Sequence, residues 1–112
     1  MSLNADQFKF THDVAKLIVY IYSKGYKCTF GETFRTAEQA AINEKKGIGI
    51  AKSNHCKRLA IDLNLFSISG KYLSETIDYE IFGKYWESLD QSNRWGGHFP
   101  RADGNHFEAK ED

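Results

Sequence analysis

Apolar residues along the chain fall into two spacings, and each predicts an element. In "THDVAKLIVYIYSKG", residues 11–25, Val14, Leu17, Ile18 and Ile21 recur at i, i+3, i+4 and i+7, the stripe of an amphipathic helix. Thr11 is read as its N-cap and Gly25 as its stop. "YKCTFGETFR" then sets Tyr26, Cys28 and Phe30 at alternate positions in a segment rich in aromatics and threonine, which predicts a strand carrying Arg35 at its end. "TAEQAAINEKKG" gathers helix formers between Thr36 as cap and Gly47 as stop, a second and short helix.

"GIGIAKSN" has no clear period and reads as a loop. Its Ala51-Lys52-Ser53 lacks the glycine that a phosphate loop needs before the lysine, and no clear helix follows, so nucleotide binding is set aside. In "RLAIDLNLF", Leu59, Ile61, Leu63 and Leu65 alternate with Ala60, Asp62 and Asn64. This predicts a strand whose aliphatic face meets the core while Asp62 points away from it. A turn at Ser69-Gly70 leads to "KYL" as a hairpin partner. From Ser74 or Thr76, the residues Ile77, Ile81, Tyr85, Trp86 and Leu89 make a third helical stripe, weakened by Gly83. "RWGGHF" and "NHFEAK" complete the chain as short extended pieces, with Gly96-Gly97 as a turn or a close backbone approach. About three helices and short, non-adjacent strands imply an α+β fold with a small, mainly antiparallel sheet, and residues 1–112 read as a single domain.

Composition narrows the class without naming a function. A chain of 112 residues that is 41% apolar and 14% aromatic can bury a core without disulfides, and 27% charged residues suit a soluble surface. Fifteen basic and fifteen acidic residues cancel, so the basic footprint of a nucleic-acid binder is missing. Cys28 and Cys56 lie outside any C-x-x-C spacing, and a reduced compartment is expected. The N-terminus lacks a basic region followed by an apolar run, and no segment approaches the ~20 apolar residues of a membrane span. The expectation is a monomer made in the cytoplasm without a signal peptide.

Catalytic zinc takes three ligands from His, Asp, Glu or Cys and keeps a position for water. His55, Asp62 and His106 are the candidates here. His55 and Asp62 are seven residues apart, over ~20 Å on a straight strand, so sharing a metal requires the chain to turn at Cys56–Arg58. Spacing alone leaves other readings open: His55 as a loop cap, Asp62 as a lysine partner, and Asp103 as a turn residue ahead of Asn105-His106.

"SNHCKRLAID" resembles the Ser-x-His-x-x-Gly-x-Ala-x-Asp signature of the zinc D-Ala-D-Ala carboxypeptidase and L-alanyl-D-glutamate peptidase family, which has the Hedgehog/DD-peptidase fold; Ser53, His55, Ala60 and Asp62 match it. "WGGHFPRADGNHFE" resembles the family's second block, and "FRTAEQ" an upstream block with an arginine and a glutamine. The three blocks stand in the family's order and span residues 30–108, in a version most similar to compact phage endolysins. Arg58 replaces the signature glycine, His98 stands where related phage enzymes often carry an acid, and Asp103 replaces the glutamate of the dipeptidase branch.

The resemblance implies one zinc held by His55, Asp62 and His106, with Asp103 as the proton acceptor and Arg35 on the oxyanion or a substrate carboxylate. Ser53, Gln39, Glu108 and His98 are the further candidates for substrate contact or ligand support. The implied reaction is hydrolysis of a peptidoglycan stem peptide, at the L-alanyl-D-glutamate bond or, in the alternative, at D-Ala-D-Ala, on the cell wall after release and with a phage origin in view. A zinc-stabilised binding module is the reading from another class, but such a module could dispense with Asp103 and Arg35.

Overall fold

The computed structural model describes residues 2–49 and 53–111; Ala51 and Lys52, in the segment read as a loop, lie outside the described residues. Among the described residues, three α-helices and five strands run in the order α1 (Leu3–Ser23), β1 (Lys27–Phe30), α2 (Ala37–Lys45), β2 (Ala60–Phe66), β3 (Tyr72–Leu73), α3 (Glu80–Leu89), β4 (Asn93–Trp95) and β5 (His106–Ala109). The sheet order is β1-β2-β5-β4 with β3 also on β2, and every pairing is antiparallel. The α+β architecture follows the alternation and stripes of the sequence.

Alternation divides the sheet into two faces. Leu63 and Leu65 of β2, Trp95 of β4 and Phe107 of β5 join Leu17 and Ile21 of α1 and Phe82 and Trp86 of α3 in one buried cluster. The opposite face carries Asp62, His106 and Glu108, because Asp62 pairs with His106 and Ala60 with Glu108 across the β2–β5 ladder. The core thus fixes which side chains meet on the other side of the sheet.

Three boundaries depart from expectation. Helix α1 begins eight residues before Thr11, with Ser2 as the cap whose hydroxyl accepts from the Ala5 N–H at 3.1 Å. Thr11 instead donates back to the Gln7 carbonyl at 2.9 Å inside the helix. Strand β1 ends at Phe30, so Arg35 sits in the connection to α2 rather than at a strand end.

The third departure is the α3 stripe. Ile77 and Ile81 are 69% and 48% exposed, while Tyr79, Phe82 and Trp86 are buried. The segment opens with a 3₁₀ turn, Thr76–Tyr79, which advances more per residue than an α-helix and rotates the register of the stripe. Gly83, read as a weakness, has a packing reason: a Cβ there would lie 2.1 Å from Trp95 Cδ2.

Candidate functional site

The turn between His55 and Asp62 is built locally. Ser53 caps a 3₁₀ turn, Asn54–Lys57, by accepting the His55 N–H at 3.1 Å, and Arg58 then takes a left-handed conformation with φ +56°. This is the position of the signature glycine, and the backbone keeps the glycine-like geometry despite the side chain. Arg58 turns its guanidinium over the Phe34 ring, 3.9 Å from the centroid. The reversal returns the chain into β2, so that His55 and Asp62 meet.

His55 Nε2 lies 3.3 Å and His106 Nδ1 3.1 Å from the same Asp62 oxygen, Oδ1. The three candidate ligand atoms all fall within 4.8 Å of one another. Behind each ring, the second nitrogen has an acceptor: the Thr33 carbonyl lies 3.3 Å from His55 Nδ1, and Glu108 Oε1 lies 2.8 Å from His106 Nε2. Two imidazole nitrogens and one carboxylate oxygen, each oriented from behind, form a donor set suited to zinc with a position to spare.

The electrostatics fit a site built for a cation. Burial works against the Asp62 charge, yet hydrogen bonds from His106 and His55 outweigh it and hold its pKa at about 2. Burial likewise opposes the His106 imidazolium, but Asp62 and Glu108 on either side raise its pKa to about 9. A divalent cation held here would take the place of a proton on His106 Nδ1.

Asp103 Oδ2 is 4.0 Å from His106 Nδ1, on a side chain still 54% exposed. Partial burial, with the nearby Asp62 charge adding to it, raises its pKa against the pull of both histidines. Gly96 permits this approach: its carbonyl accepts the Asp103 N–H at 2.9 Å, and an added Cβ would lie 2.3 Å from the Asp103 carbonyl oxygen. The cluster opens into a cleft of about 780 Å³ lined by Arg35, Ile48, Phe99 and Asp103 beside His55 and His106.

The other candidates divide. Arg35 lines the cleft, where its Nη2 pairs with Glu32 Oε1 and its buried Nε has no hydrogen-bond partner among the described residues. Ser53 caps the His55 turn, and Glu108 backs His106. Gln39 and His98 are not brought to the cluster: Gln39 donates to Asn43 along α2 at 2.7 Å, and His98 faces Glu87 at 3.2 Å outside the cleft lining.

Glu32 pairs with Arg35 and has a second neighbour in the site. Its Oε1 lies 3.6 Å from His55 Nε2, and its carbonyl accepts the Asp62 N–H at 2.9 Å. The i, i+3 spacing to Arg35 signals the ion pair, whereas proximity to His55 depends on the chain beyond β1, where the Gly31 N–H donates to the Asp62 carbonyl at 2.7 Å. A Cβ at Gly31 would lie 3.0 Å from Asp62 Cβ, so a side chain there would press on Asp62.

A family model described as D-alanyl-D-alanine carboxypeptidase matches residues 46–109, the stretch that contains His55, Asp62, Asp103 and His106. Among solved structures, the crystal structure of the Serratia marcescens L-Ala D-Glu endopeptidase ChiX is similar, with a TM-score of 0.63 and 19% sequence identity over 75% of this chain and 67% of that one. That likeness is one of fold. No curated protein matches the sequence. No helix among the described residues is long and apolar enough to cross a membrane.

Proposed function

The chain belongs to the D-alanyl-D-alanine carboxypeptidase family, and from that premise we propose that it is a zinc-dependent peptidase of peptidoglycan stem peptides, cutting the L-alanyl-D-glutamate bond. The observation that carries this reading is the convergence of His55, Asp62 and His106 on one point of an open cleft, with Asp103 beside them. Asp103 in place of glutamate is the sequence feature that favours the L-alanyl-D-glutamate branch.

His55 Nε2, Asp62 Oδ1 and His106 Nδ1 would hold the metal. When bound, zinc supplies Lewis acidity, which polarises a scissile carbonyl and acidifies water. Asp103 is placed to take the proton of the attacking water and return it to the leaving amine, and its raised pKa brings it closer to the range a proton shuttle needs. Arg35, which lines the cleft beside Glu32, would offer a forked cation to the oxyanion or a substrate carboxylate.

A second reading, D-Ala-D-Ala carboxypeptidase, is favoured by the description of the matching family. Digestion of purified peptidoglycan followed by mass spectrometry of the new termini separates the two. New D-Glu amino ends support the endopeptidase, and free D-Ala supports the carboxypeptidase. Zinc-loaded protein that leaves every peptidoglycan type intact would overturn both and favour a binding module.

A further inference from the structure

Glu108 is buried, yet it carries more polar partners than any other carboxylate facing the cleft. Its Oε2 accepts from Arg94 Nη2 at 2.6 Å, from Arg94 Nε at 3.2 Å and from Asn54 Nδ2 at 2.8 Å. Its Oε1 is left to one donor, His106 Nε2, at 2.8 Å. The partners come from separate elements: Arg94 lies directly across the β4–β5 ladder from Glu108, and Asn54 immediately precedes His55 on its 3₁₀ turn. The carboxylate therefore joins the segment carrying His55 to the strand carrying His106.

We propose that Arg94 and Asn54 are positioning residues for the metal, which lock Glu108 so that His106 keeps a proton on Nε2 and presents Nδ1 to zinc. The inference rests on the zinc reading above and assigns a role to two residues outside the family blocks' ligands and acid. A carboxylate with one oxygen saturated by three donors cannot rotate freely, so the other oxygen stays aimed at Nε2. His106 then has one ring orientation and one tautomer available for a metal, and the ordering cost of binding is reduced. Asn54 extends the effect to the other histidine, because a displaced Glu108 would also release the start of the His55 turn.

The test uses zinc affinity of the full chain, measured by competition with a chromophoric chelator, so that it does not depend on peptidase activity. Asn54→Ala and Arg94→Ala are each expected to weaken zinc binding by roughly 10–100-fold, the range for loss of an outer partner of a metal ligand. Arg94→Lys, which retains a cation, is expected to recover part of that loss. In the zinc-loaded wild type, the His106 Nε2 proton should be visible by NMR, and it should broaden by exchange in Arg94→Ala, a change that lost packing alone would not produce.

Arg94 is 46% exposed on its side chain, so the substitution leaves the core intact, and circular dichroism checks the fold. Should Arg94→Ala nevertheless fail to fold, Asn54→Ala and Arg94→Lys decide the matter on the same readouts. Folded variants that hold zinc within twofold of the wild type, with an unchanged His106 resonance, would overturn the clamp while leaving the peptidase reading standing. A wild type that takes up no zinc would overturn both.

Discussion

His55 and His106 turn different ring nitrogens, Nε2 and Nδ1, toward the same Asp62 oxygen, at 3.3 and 3.1 Å. The difference follows from where each ring is held from behind: by a loop carbonyl, Thr33, in one case and by a strand carboxylate, Glu108, in the other. Neither ring can exchange its nitrogens without losing its rear partner. Removal of one member should therefore not be compensated by a neighbour. His106→Ala is expected to lose zinc far beyond the roughly 10–100-fold range set by outer partners. Elemental analysis should find about one zinc per chain in the wild type and essentially none in this variant after dialysis.

The left-handed Arg58 supplies a test of the turn that brings His55 to Asp62. At φ +56° an alanine keeps the backbone strain and loses the contact with Phe34, whereas glycine removes the strain. Arg58→Gly is expected to be more stable than Arg58→Ala by about 1 kcal/mol. Denaturant titration of the two variants measures this, and equal midpoints would show that position 58 is not held in the left-handed region.

Local patterning made the strands legible: the alternation from Leu59 to Leu65 predicts both the core face and the outward Asp62. Helix phase was less legible where a 3₁₀ turn precedes α3, because the stripe of Ile77 and Ile81 is then rotated away from the core. The start of α1 was hidden by chemistry of another kind, since buried Asp6 and Asp13 interrupt its apolar face. At the site, a turn after His55 was readable from the spacing to Asp62, and the block around His106 as a resemblance. The Arg94–Glu108 pairing was not, because it depends on which strands become neighbours fourteen residues apart.

Gly83 ties α3 to the strand that carries Arg94. A methyl group at this position would meet Trp95 Cδ2 at 2.1 Å, and the indole is buried with its N–H donating to the Gly104 carbonyl at 2.7 Å. The ring cannot retreat without breaking that bond. Gly83→Ala is therefore expected to destabilise the fold by about 1–3 kcal/mol despite the better helix propensity of alanine. A thermal melt checks it, with no change or a rise in Tm counting against the packing described.

Acid stability should report on a group far from the metal ligands. Hydrogen bonds from the Ser92 hydroxyl and backbone N–H, at 2.7 and 2.8 Å, lead the causes that lower the Asp90 pKa to about 2, with Lys9 adding to them and burial opposing. A folded-state pKa below the unfolded value of 3.8 means that the ionised form stabilises the fold above about pH 3.8. That contribution is lost as pH falls toward 2. Urea midpoints taken across this window should fall less steeply in Asp90→Asn than in the wild type, and parallel curves would remove Asp90 from the acid response.

Asp103 is the residue on which the chemistry of the proposed reaction turns. Its carboxylate lies 4.0 Å from His106 Nδ1 but is not one of the three converging ligand atoms, so proton transfer and metal binding are carried by different side chains. Asp103→Ala should therefore keep zinc near one per chain. Its rate of stem-peptide cleavage should fall by about 10²–10⁴-fold, the usual contribution of a positioned acid–base group. Asp103→Asn, which preserves size and polarity but cannot accept the proton, should be impaired to a similar degree. Full cleavage by either variant would exclude Asp103 as the base, whereas loss of zinc together with cleavage would make it a support of the ligands instead.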